Sequence, residues 1–177
     1  MNKTKLIGIS GCTNGGKTTL SKRLLLEIPN SFYLSQDEFY LERNSQNYKF
    51  VEEVDSFNFD VISAIDMKKF HMELNKLVRA GQYEYIFLDG ILLYEDLNLV
   101  KMLDRRYFID LNKEEAAKRR KSRQYILRET ENYFEICAWT EFLKYKQNCI
   151  QNVNNVIYLD GSLPREDIFK FVLNDLP

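Results

Sequence analysis

The sequence predicts one α/β domain built on a parallel, five-stranded sheet with helices on both faces. Apolar runs that favour β-structure alternate along the chain with longer stretches of helical period, which is the pattern typical of such a sheet. The chain has 177 residues, of which 45% are hydrophobic. This length suffices for one well-buried core and is too short for two, so we expect a single domain over residues 1–177.

Five apolar runs are the candidate strands, and two helices with clear ends lie among them. The strands are predicted at residues 5–10, 31–35, 85–88, 107–111 and 156–159. A helix over 18–27 is stopped by Pro29, and a second helix ends near Gly81. The second helix is marked by a buried apolar stripe that comprises Ile62, Ile65, Phe70, Leu74 and Leu77.

The second half of the chain is predicted to hold three more helices. Asn112, followed three residues later by Glu115, resembles a capping box that opens the first of them. The next covers about 133–152, and the last begins after Ser162 with Pro164 in its first turn. Long irregular segments in a compact domain are usually functional or mobile. The two longest ones here are 38–56 and 120–132.

Charge and cysteine content limit the partners and the setting. The 25 basic and 26 acidic residues nearly cancel, so neither nucleic acid nor an anionic membrane is expected as a partner. Three cysteines without a C-x-x-C pair do not suggest a disulfide framework, and the single histidine, His71, is expected to be structural. The N-terminal apolar run is too short for a signal peptide, and no stretch reaches membrane-spanning length. We expect a cytoplasmic protein that binds small molecules as a monomer or weak homodimer.

The segment 11–18 carries a phosphate-binding motif. Its sequence, GCTNGGKT, matches G-x-x-x-x-G-K-[ST] and lies between a predicted strand and a predicted helix. The backbone N–H groups would surround phosphate oxygens, Lys17 would reach the β- and γ-phosphates, and Thr18 would offer its hydroxyl to Mg²⁺. The residues expected at the nucleotide are Gly11, Thr13, Asn14, Gly15, Gly16, Lys17, Thr18 and Thr19. The motif predicts a P-loop NTPase fold, but it does not by itself separate kinases from GTPases or other ATPases.

Two aspartates follow predicted strands at the sheet edge that holds this loop. Asp37 comes just after the second strand, where a carboxylate is suited to orient an alcohol and accept its proton during phosphoryl transfer. Asp89 follows the strand over 85–88, where a carboxylate can hold Mg²⁺ directly or through water. The candidate metal ligands are Thr18, Asp37 and Asp89. The alternatives are a helix N-cap for Asp37 and an ordinary Asp-Gly turn for Asp89.

A basic run over 118–123, KRRKSR, has five cations in six residues. A solvated helix face and a nucleic-acid patch are the common explanations for such a run. We favour a lid over approximately 119–132, whose arginines stabilise the charge on the transferring phosphoryl group while the lid excludes water. Just beyond the run, Tyr125 is suited to stack on a flat or cationic ring.

Several segments together resemble a known family. The clearest are ISGCTNGGKTTL over 9–20 and SQDEFY over 35–40. Further matches, in order, are FDV at 59–61, DGILL at 89–93, 118–125, YF at 133–134 with Trp139, LKY at 143–145 and YLDG at 158–161. Over nearly the whole chain they resemble the nicotinamide riboside kinases, which are P-loop kinases of the uridine kinase type. The resemblance implies transfer of the γ-phosphate of ATP to the 5′-hydroxyl of nicotinamide riboside, a step of NAD salvage.

The resemblance also implies roles for individual residues. Asp37 would be the general base, with Lys17 and Arg120 as the other catalytic residues. Asp60 and Arg120 would hold the ribose hydroxyls, and Phe59 and Tyr125 would sandwich the base. The implied substrate set is Asp37, Glu38, Phe39, Tyr40, Phe59, Asp60, Arg120, Tyr125 and Glu129. The residues that would join the P-loop at ATP are Arg119, Arg123 and Tyr125, with 163–165 near adenine.

The chain departs from the usual pattern of that family at three site positions. It has Phe59 where tyrosine is usual, Asp89 where glutamate is usual and Glu129 where aspartate is usual, and its lid lacks the usual prolines. Phe59 keeps a stacking face without a hydroxyl. Asp89 is one methylene shorter than glutamate, and the sequence leaves open whether it reaches Mg²⁺ directly or through water.

Three other functions share parts of this pattern. A uridine or cytidine kinase shares the fold, the P-loop, the base and the lid, and differs mainly in hydrogen bonds to the base edges. A P-loop protein that binds nucleotide without transferring phosphate is the second alternative. A GTPase is disfavoured because the chain has no N-K-x-D sequence to recognise guanine, although sequence does not otherwise separate ATP from GTP.

Overall fold

The computed structural model describes residues 3–42, 45–122, 130 and 132–177. The strands are β1 Lys5–Gly11, β2 Ser31–Ser35, β3 Lys49–Val51, β4 Ser56–Asn58, β5 Tyr85–Asp89, β6 Arg105–Asp110 and β7 Val156–Asp160. The α-helices are α1 Lys17–Glu27, α2 Met67–Ala80, α3 Leu97–Met102, α4 Lys113–Lys121, α5 Trp139–Asn152 and α6 Arg165–Asp175. Among these described residues, no helix is both long and apolar enough to cross a membrane.

Five of the strands form a parallel sheet in the order β2-β5-β1-β6-β7. The predicted five-stranded parallel sheet is thereby confirmed, and each strand end lies within two residues of its predicted position. β1 is central, so the chain leaves it in the middle of the carboxyl edge of the sheet. Parallel sheets of this kind bind ligands at that edge.

Both faces of the sheet are covered, because side chains alternate along each strand. Ile7 and Ile9 of β1 pack with Leu24 of α1 and Phe169 of α6. Leu6 points to the opposite face, where the core includes residues of α2, α3 and α5. The predicted helices on both faces are therefore present.

A short antiparallel hairpin, formed by β3 and β4, lies partly in the segment 38–56 that was predicted to be irregular. Its strands have three residues each, which is too short for a period of two to be recognised. Aromatic rings hold it together: Phe50 and Phe57 pack edge to face at 5.4 Å, and Tyr48 and Phe59 do so at 5.1 Å. The hairpin fixes the chain directly before Asp60.

Two helix ends differ from the prediction. The Asn112 side chain caps α4 by accepting from the Glu115 N–H at 2.8 Å, but the Glu115 carboxylate accepts from Arg119 Nε at 2.7 Å instead of completing the capping box. The single helix predicted before β7 is divided, because a π-helical turn over Phe134–Ala138 precedes α5. π-helical turns occur frequently at functional sites.

The single histidine joins two helices on one face of the sheet. His71 of α2 has its Nε2 atom 2.6 Å from Asp96 Oδ2. Asp96 also caps α3 by accepting from the N–H groups of Asn98 and Leu99. Burial acts to raise the pKa of Asp96, but the hydrogen bonds from His71 and the two N–H groups outweigh it and hold that pKa below its ordinary value. His71 thus has the structural role that was expected.

Candidate active site

The loop between β1 and α1 depends on two glycines with positive φ. Gly11 has φ 120° and Gly16 has φ 98°, which is backbone that residues with a side chain rarely adopt. A Cβ on Gly11 would also lie 2.1 Å from the carbonyl oxygen of Ile109 in β6. That oxygen accepts a hydrogen bond from the Cys12 N–H at 2.8 Å. The loop is therefore tied closely to the sheet, and the glycine at position 11 is required by space as well as by conformation.

Lys17 brings a positive charge into this loop. It is the first residue of α1, and its buried Nζ donates to the carbonyl oxygens of Cys12 at 2.8 Å and Gly11 at 3.1 Å. Burial raises the pKa of the neighbouring Cys12 thiol to about 12, although the charge of Lys17 acts in the opposite direction. The ammonium and the N-terminal end of α1 together form an electropositive site suited to phosphate.

Asp37 lies at the same edge of the sheet as the loop. Ser35 at the end of β2 is in register with Asp89 of β5, which is in register with Ile9 of β1. Two strand spacings, or about 10 Å, therefore separate the ends of β2 and β1. Asp37 follows in a short 3₁₀ helix over Gln36–Phe39, where its N–H donates to Ser35 Oγ at 3.3 Å and its side chain is exposed. The chain thus presents a carboxylate beside the P-loop.

Asp89 ends β5 with its side chain buried beneath this edge. The Tyr33 hydroxyl donates to its Oδ2 atom at 3.1 Å, and the Ser35 hydroxyl donates to its Oδ1 atom at 3.4 Å. Burial is the main cause that raises the pKa of Tyr33 to about 12. The hydroxyl of Tyr33 therefore remains a neutral donor to one of the candidate metal ligands.

Asp60 is held by a buried tyrosine from the other half of the chain. The Tyr133 hydroxyl donates to Asp60 Oδ2 at 2.9 Å and accepts from the Phe59 N–H at 2.9 Å. The Asp60 N–H donates to Asn58 Oδ1 at 3.0 Å, so the backbone is fixed on both sides of the carboxylate. Burial, followed by the negative charge of Asp60, raises the pKa of Tyr133 far above its ordinary value. Tyr133 therefore remains a neutral hydrogen-bond donor to Asp60.

Arg120 connects the P-loop to the Asp60 side of the site. It lies in the last turn of α4 and is only 9% exposed. Its Nη1 atom donates to Thr13 Oγ1 at 2.9 Å. Its guanidinium carbon lies 5.9 Å from the ring centre of Tyr133 and 5.6 Å from that of Phe134, within the range of cation–π attraction. Arg120, the second residue of the lid predicted over 119–132, thus lies in α4 and contacts the P-loop.

A small cavity marks the point where these parts meet. Its volume is about 10 Å³, roughly the space of one water molecule, and Gly11, Thr13 and Asp60 contribute to its lining. Tyr40 adds a further link, because its pKa is raised well above the ordinary value first by burial and then by the charges of Asp60 and Asp37. Gly11 and Thr13 of the P-loop and the Asp60 carboxylate side of the site therefore line one cavity.

The remaining predicted residues divide into three groups. Exposed residues are Thr19, Glu38 and those at 163–165, and the half-buried Arg119 is paired with Glu115. Phe39 is buried in the core, where its ring packs edge to face on Phe70 at 5.2 Å. The structure thus gives Phe39 a packing role instead of the substrate contact that was expected. Residues Arg123, Tyr125 and Glu129 lie outside the described residues.

Comparison with known proteins identifies the family, although no family model matches the chain. The chain is 34% identical over 187 residues to nicotinamide riboside kinase 2 of Homo sapiens, covering 97% of the chain and 80% of that protein. It is 31% identical over 187 residues to nicotinamide riboside kinase 1 of Homo sapiens, covering 98% of the chain and 92% of that protein. The chain belongs to the nicotinamide riboside kinase family.

A solved structure supports the fold of this nicotinamide riboside kinase family member. A possible uridine kinase from Bacillus stearothermophilus matches it with a TM-score of 0.58 at 14% identity, covering 89% of this chain and 90% of that one. A match at this identity shows the fold alone, and the predicted P-loop kinase fold is confirmed by it. With the family established, the chain is a phosphotransferase.

The oxygen atoms of this kinase site fit a nucleotide-bound magnesium ion. Thr18 supplies a hydroxyl, and Asp37 and Asp89 supply carboxylates. Mg²⁺ is usually bound by one or two carboxylates together with phosphate oxygens and water. Across the ranges that the structure describes, no group of three or more His, Cys, Asp or Glu side chains is placed to hold a metal ion by itself. One hydroxyl and two carboxylates are the kind of oxygen ligands that Mg²⁺ takes.

Two tyrosines of the kinase site were not predicted to act there. Tyr33 is two residues before Ser35 on β2, and the period of two along a strand puts both on the side of Asp89. That alternation is a signal from which Tyr33 is recognisable in the sequence. Tyr133 lies 73 residues from Asp60, and no local pattern connects positions so far apart.

Proposed function

We propose that this protein transfers the γ-phosphate of ATP to the 5′-hydroxyl of nicotinamide riboside and forms nicotinamide mononucleotide, a reaction of NAD salvage. The proposal includes one kinase domain over residues 1–177 with a lid within about 119–132. It also includes a reducing, cytoplasmic setting, in keeping with three cysteines that are all free and buried. The two human relatives, which are both named nicotinamide riboside kinases, support the choice of nucleoside.

The observation that carries the proposal is the bridge formed by Arg120. One guanidinium contacts Thr13 of the P-loop and the ring of Tyr133, and the Tyr133 hydroxyl holds Asp60. In a kinase for nucleosides, the phosphate donor and the ribose must approach each other with their reacting atoms nearly in line. A rigid connection between a phosphate-binding loop and a ribose-binding carboxylate is suited to that task.

In the proposed reaction, Asp37 accepts the proton of the 5′-hydroxyl as its oxygen forms a bond to the γ-phosphorus. The bond from phosphorus to the bridging oxygen breaks at the same time, and ADP leaves with the electron pair. Lys17 and Arg120 stabilise the negative charge on the phosphoryl oxygens. The exposed Asp37 carboxylate at the carboxyl edge of the sheet is accessible to a substrate alcohol.

Magnesium would be held by the Thr18 hydroxyl and by Asp37, with Asp89 acting through water. When bound, the ion supplies positive charge at the β- and γ-phosphates. The protein's own part is to fix these oxygens. The α1 N-terminus does so for Thr18, and the sheet register does so for Asp89.

The base of the nucleoside is proposed to stack on Phe59. The ring belongs to an aromatic group with Tyr48 at 5.1 Å and Tyr133 at 6.4 Å. A pyridinium ring is flat and cationic, so it gains from an aromatic face. Neutral pyrimidines stack as well, and for this reason a uridine or cytidine kinase is the alternative substrate choice.

A substrate panel tests the proposal. Purified protein with Mg-ATP should convert nicotinamide riboside with a much higher kcat/KM than uridine or cytidine, measured by ADP release and by identification of the monophosphate. The reverse ranking would replace the proposed substrate by a pyrimidine nucleoside. Nucleotide binding without any phosphate transfer would favour the non-catalytic alternative.

A further inference from the structure

Asp89 is a buried carboxylate that a nearby cation would stabilise. Its side chain is 1% exposed, and both of its oxygens accept hydrogen bonds from hydroxyl groups. Among the ion pairs of the described residues, none involves Asp89. A buried carboxylate without a cationic partner is costly. A metal ion carried by the nucleotide is a partner that would balance this charge.

Tyr33 lies between Asp89 and the side of α1. Its hydroxyl donates to Asp89 Oδ2 at 3.1 Å. The Nζ atom of Lys22 in α1 lies 5.9 Å from the centre of the Tyr33 ring. The ring thus lies beside the helix that begins at the P-loop, and its hydroxyl contacts the carboxylate at the end of β5.

The length of Asp89 explains why such a link is needed. Aspartate is shorter than glutamate, the other acidic side chain, by one methylene group, or about 1.5 Å. A shorter carboxylate positions a metal-bound water molecule only if its own orientation is fixed. The Ser35 hydroxyl at 3.4 Å is the weaker of its two donors, by distance, and the Tyr33 hydroxyl is the stronger.

We propose that Tyr33 is a positioning residue for the metal–nucleotide complex: its hydroxyl orients the Asp89 carboxylate toward the metal ion. Tyr33 acts through Asp89 and has no direct contact with the reacting atoms. The inference rests on the proposed kinase function. It adds to that function a residue on which metal affinity depends.

Metal binding without turnover tests this role. Mn²⁺ binding in the presence of ADP, followed by electron paramagnetic resonance, should weaken about tenfold in Tyr33→Phe, because residues that orient metal ligands typically contribute 10- to 100-fold to metal affinity. The matched control is Tyr85→Phe, which removes a tyrosine hydroxyl at the opposite edge of the sheet, where it donates to the Pro177 carbonyl. The control should bind Mn-ADP as the unchanged protein does.

A double-mutant cycle separates positioning from general destabilisation. In an Asp89→Asn background, Tyr33→Phe should have little further effect on Mn-ADP affinity, because the carboxylate that it orients is gone. Fully additive losses would overturn the inference. If Tyr33→Phe does not fold, as judged by circular dichroism, Ser35→Ala removes the weaker donor and should weaken binding two- to threefold.

The outcomes distinguish this inference from the proposed function. If the unchanged protein binds no Mn-ADP at all, the proposed kinase function fails and the inference fails with it. If the unchanged protein binds Mn-ADP and both Tyr33→Phe and Ser35→Ala bind it equally well, only the role of Tyr33 is wrong.

Discussion

The hydroxyl of Tyr133 lies 2.9 Å from Asp60 Oδ2 and 2.9 Å from the Phe59 backbone nitrogen, so one atom fixes two adjacent residues of the proposed nucleoside site. Tyr133→Phe removes this atom and keeps the ring beside Arg120. A hydrogen bond to a charged group contributes about 1.5–3 kcal/mol. We therefore expect the KM for the nucleoside to rise at least tenfold, while the KM for ATP changes little.

Steady-state kinetics with each substrate varied in turn measures this effect. Tyr85→Phe serves as control, because its hydroxyl is far from the site at the other edge of the sheet. A loss confined to kcat, with the nucleoside KM unchanged, would contradict the role given to Tyr133.

Asp37→Asn should abolish most of the transfer and leave the binding of metal-free ATP intact. The amide cannot accept the proton of the substrate hydroxyl, and a general base typically contributes about 100- to 10,000-fold to the rate. Turnover measures the loss, and calorimetric titration with ATP measures the binding that remains. Asp55→Asn is the control, because Asp55 is an exposed hairpin residue whose φ of 45° asparagine also tolerates. Turnover near the unchanged rate in Asp37→Asn would rule out the proposed base.

Arg120→Lys should lower kcat/KM by about 100-fold, even though it preserves the charge. Lysine lacks the planar group that donates to Thr13 and stacks near the two rings, and loss of one preorganised donor at a transition state typically costs about 100- to 1,000-fold. Lys118→Met, on the exposed side of the same helix, removes a full charge and should leave the rate nearly unchanged. Equal effects of the two variants would indicate that the overall positive charge of α4 supports the reaction, and not the contact between Arg120 and Thr13.

The Asp96 cap of α3 predicts a stability that depends on pH. The pKa of Asp96 is lower in the folded protein than its ordinary value of 3.8. The ionised carboxylate therefore contributes fully to the free energy of unfolding at pH values above 3.8. This contribution is lost as the pH falls through the lower pKa of the folded state. Asp96→Asn keeps a capping oxygen, whereas Asp96→Ala removes it at a cost of about 1 kcal/mol.

Urea unfolding at two pH values checks this prediction. At pH 7 the free energy of unfolding should fall in the order unchanged protein, Asp96→Asn, Asp96→Ala. Near pH 3 the difference in the free energy of unfolding between the unchanged protein and Asp96→Asn should be smaller than at pH 7. A difference that stays constant between these pH values would show that the ionised carboxylate is not the cause.

Local patterns in the sequence predicted the sheet and the P-loop correctly, because both depend on contiguous residues. The strand over Ser31–Ser35 and the loop after β1 are recognisable from period and from glycine spacing. The hairpin of β3 and β4 and the six-residue α3 were missed, since elements this short carry too little periodicity.

Contacts between distant parts of the chain account for what sequence reasoning could not supply. Arg120 and Thr13 are 107 residues apart, yet they share a hydrogen bond at 2.9 Å. The spacing of the basic run over 118–123 does not indicate that Arg120 reaches the P-loop. Only the folded chain shows that this arginine is buried.

Cys12 sits within the phosphate-binding loop, fully buried, with a thiol whose pKa is raised to about 12. Oxidants and alkylating agents attack the thiolate, which is nearly absent at such a pKa and is shielded here from solvent. The cysteine in the phosphate-binding loop is therefore not expected to make this enzyme sensitive to oxidation. Its activity should persist through oxidative stress that disables enzymes with an exposed thiolate beside their substrate.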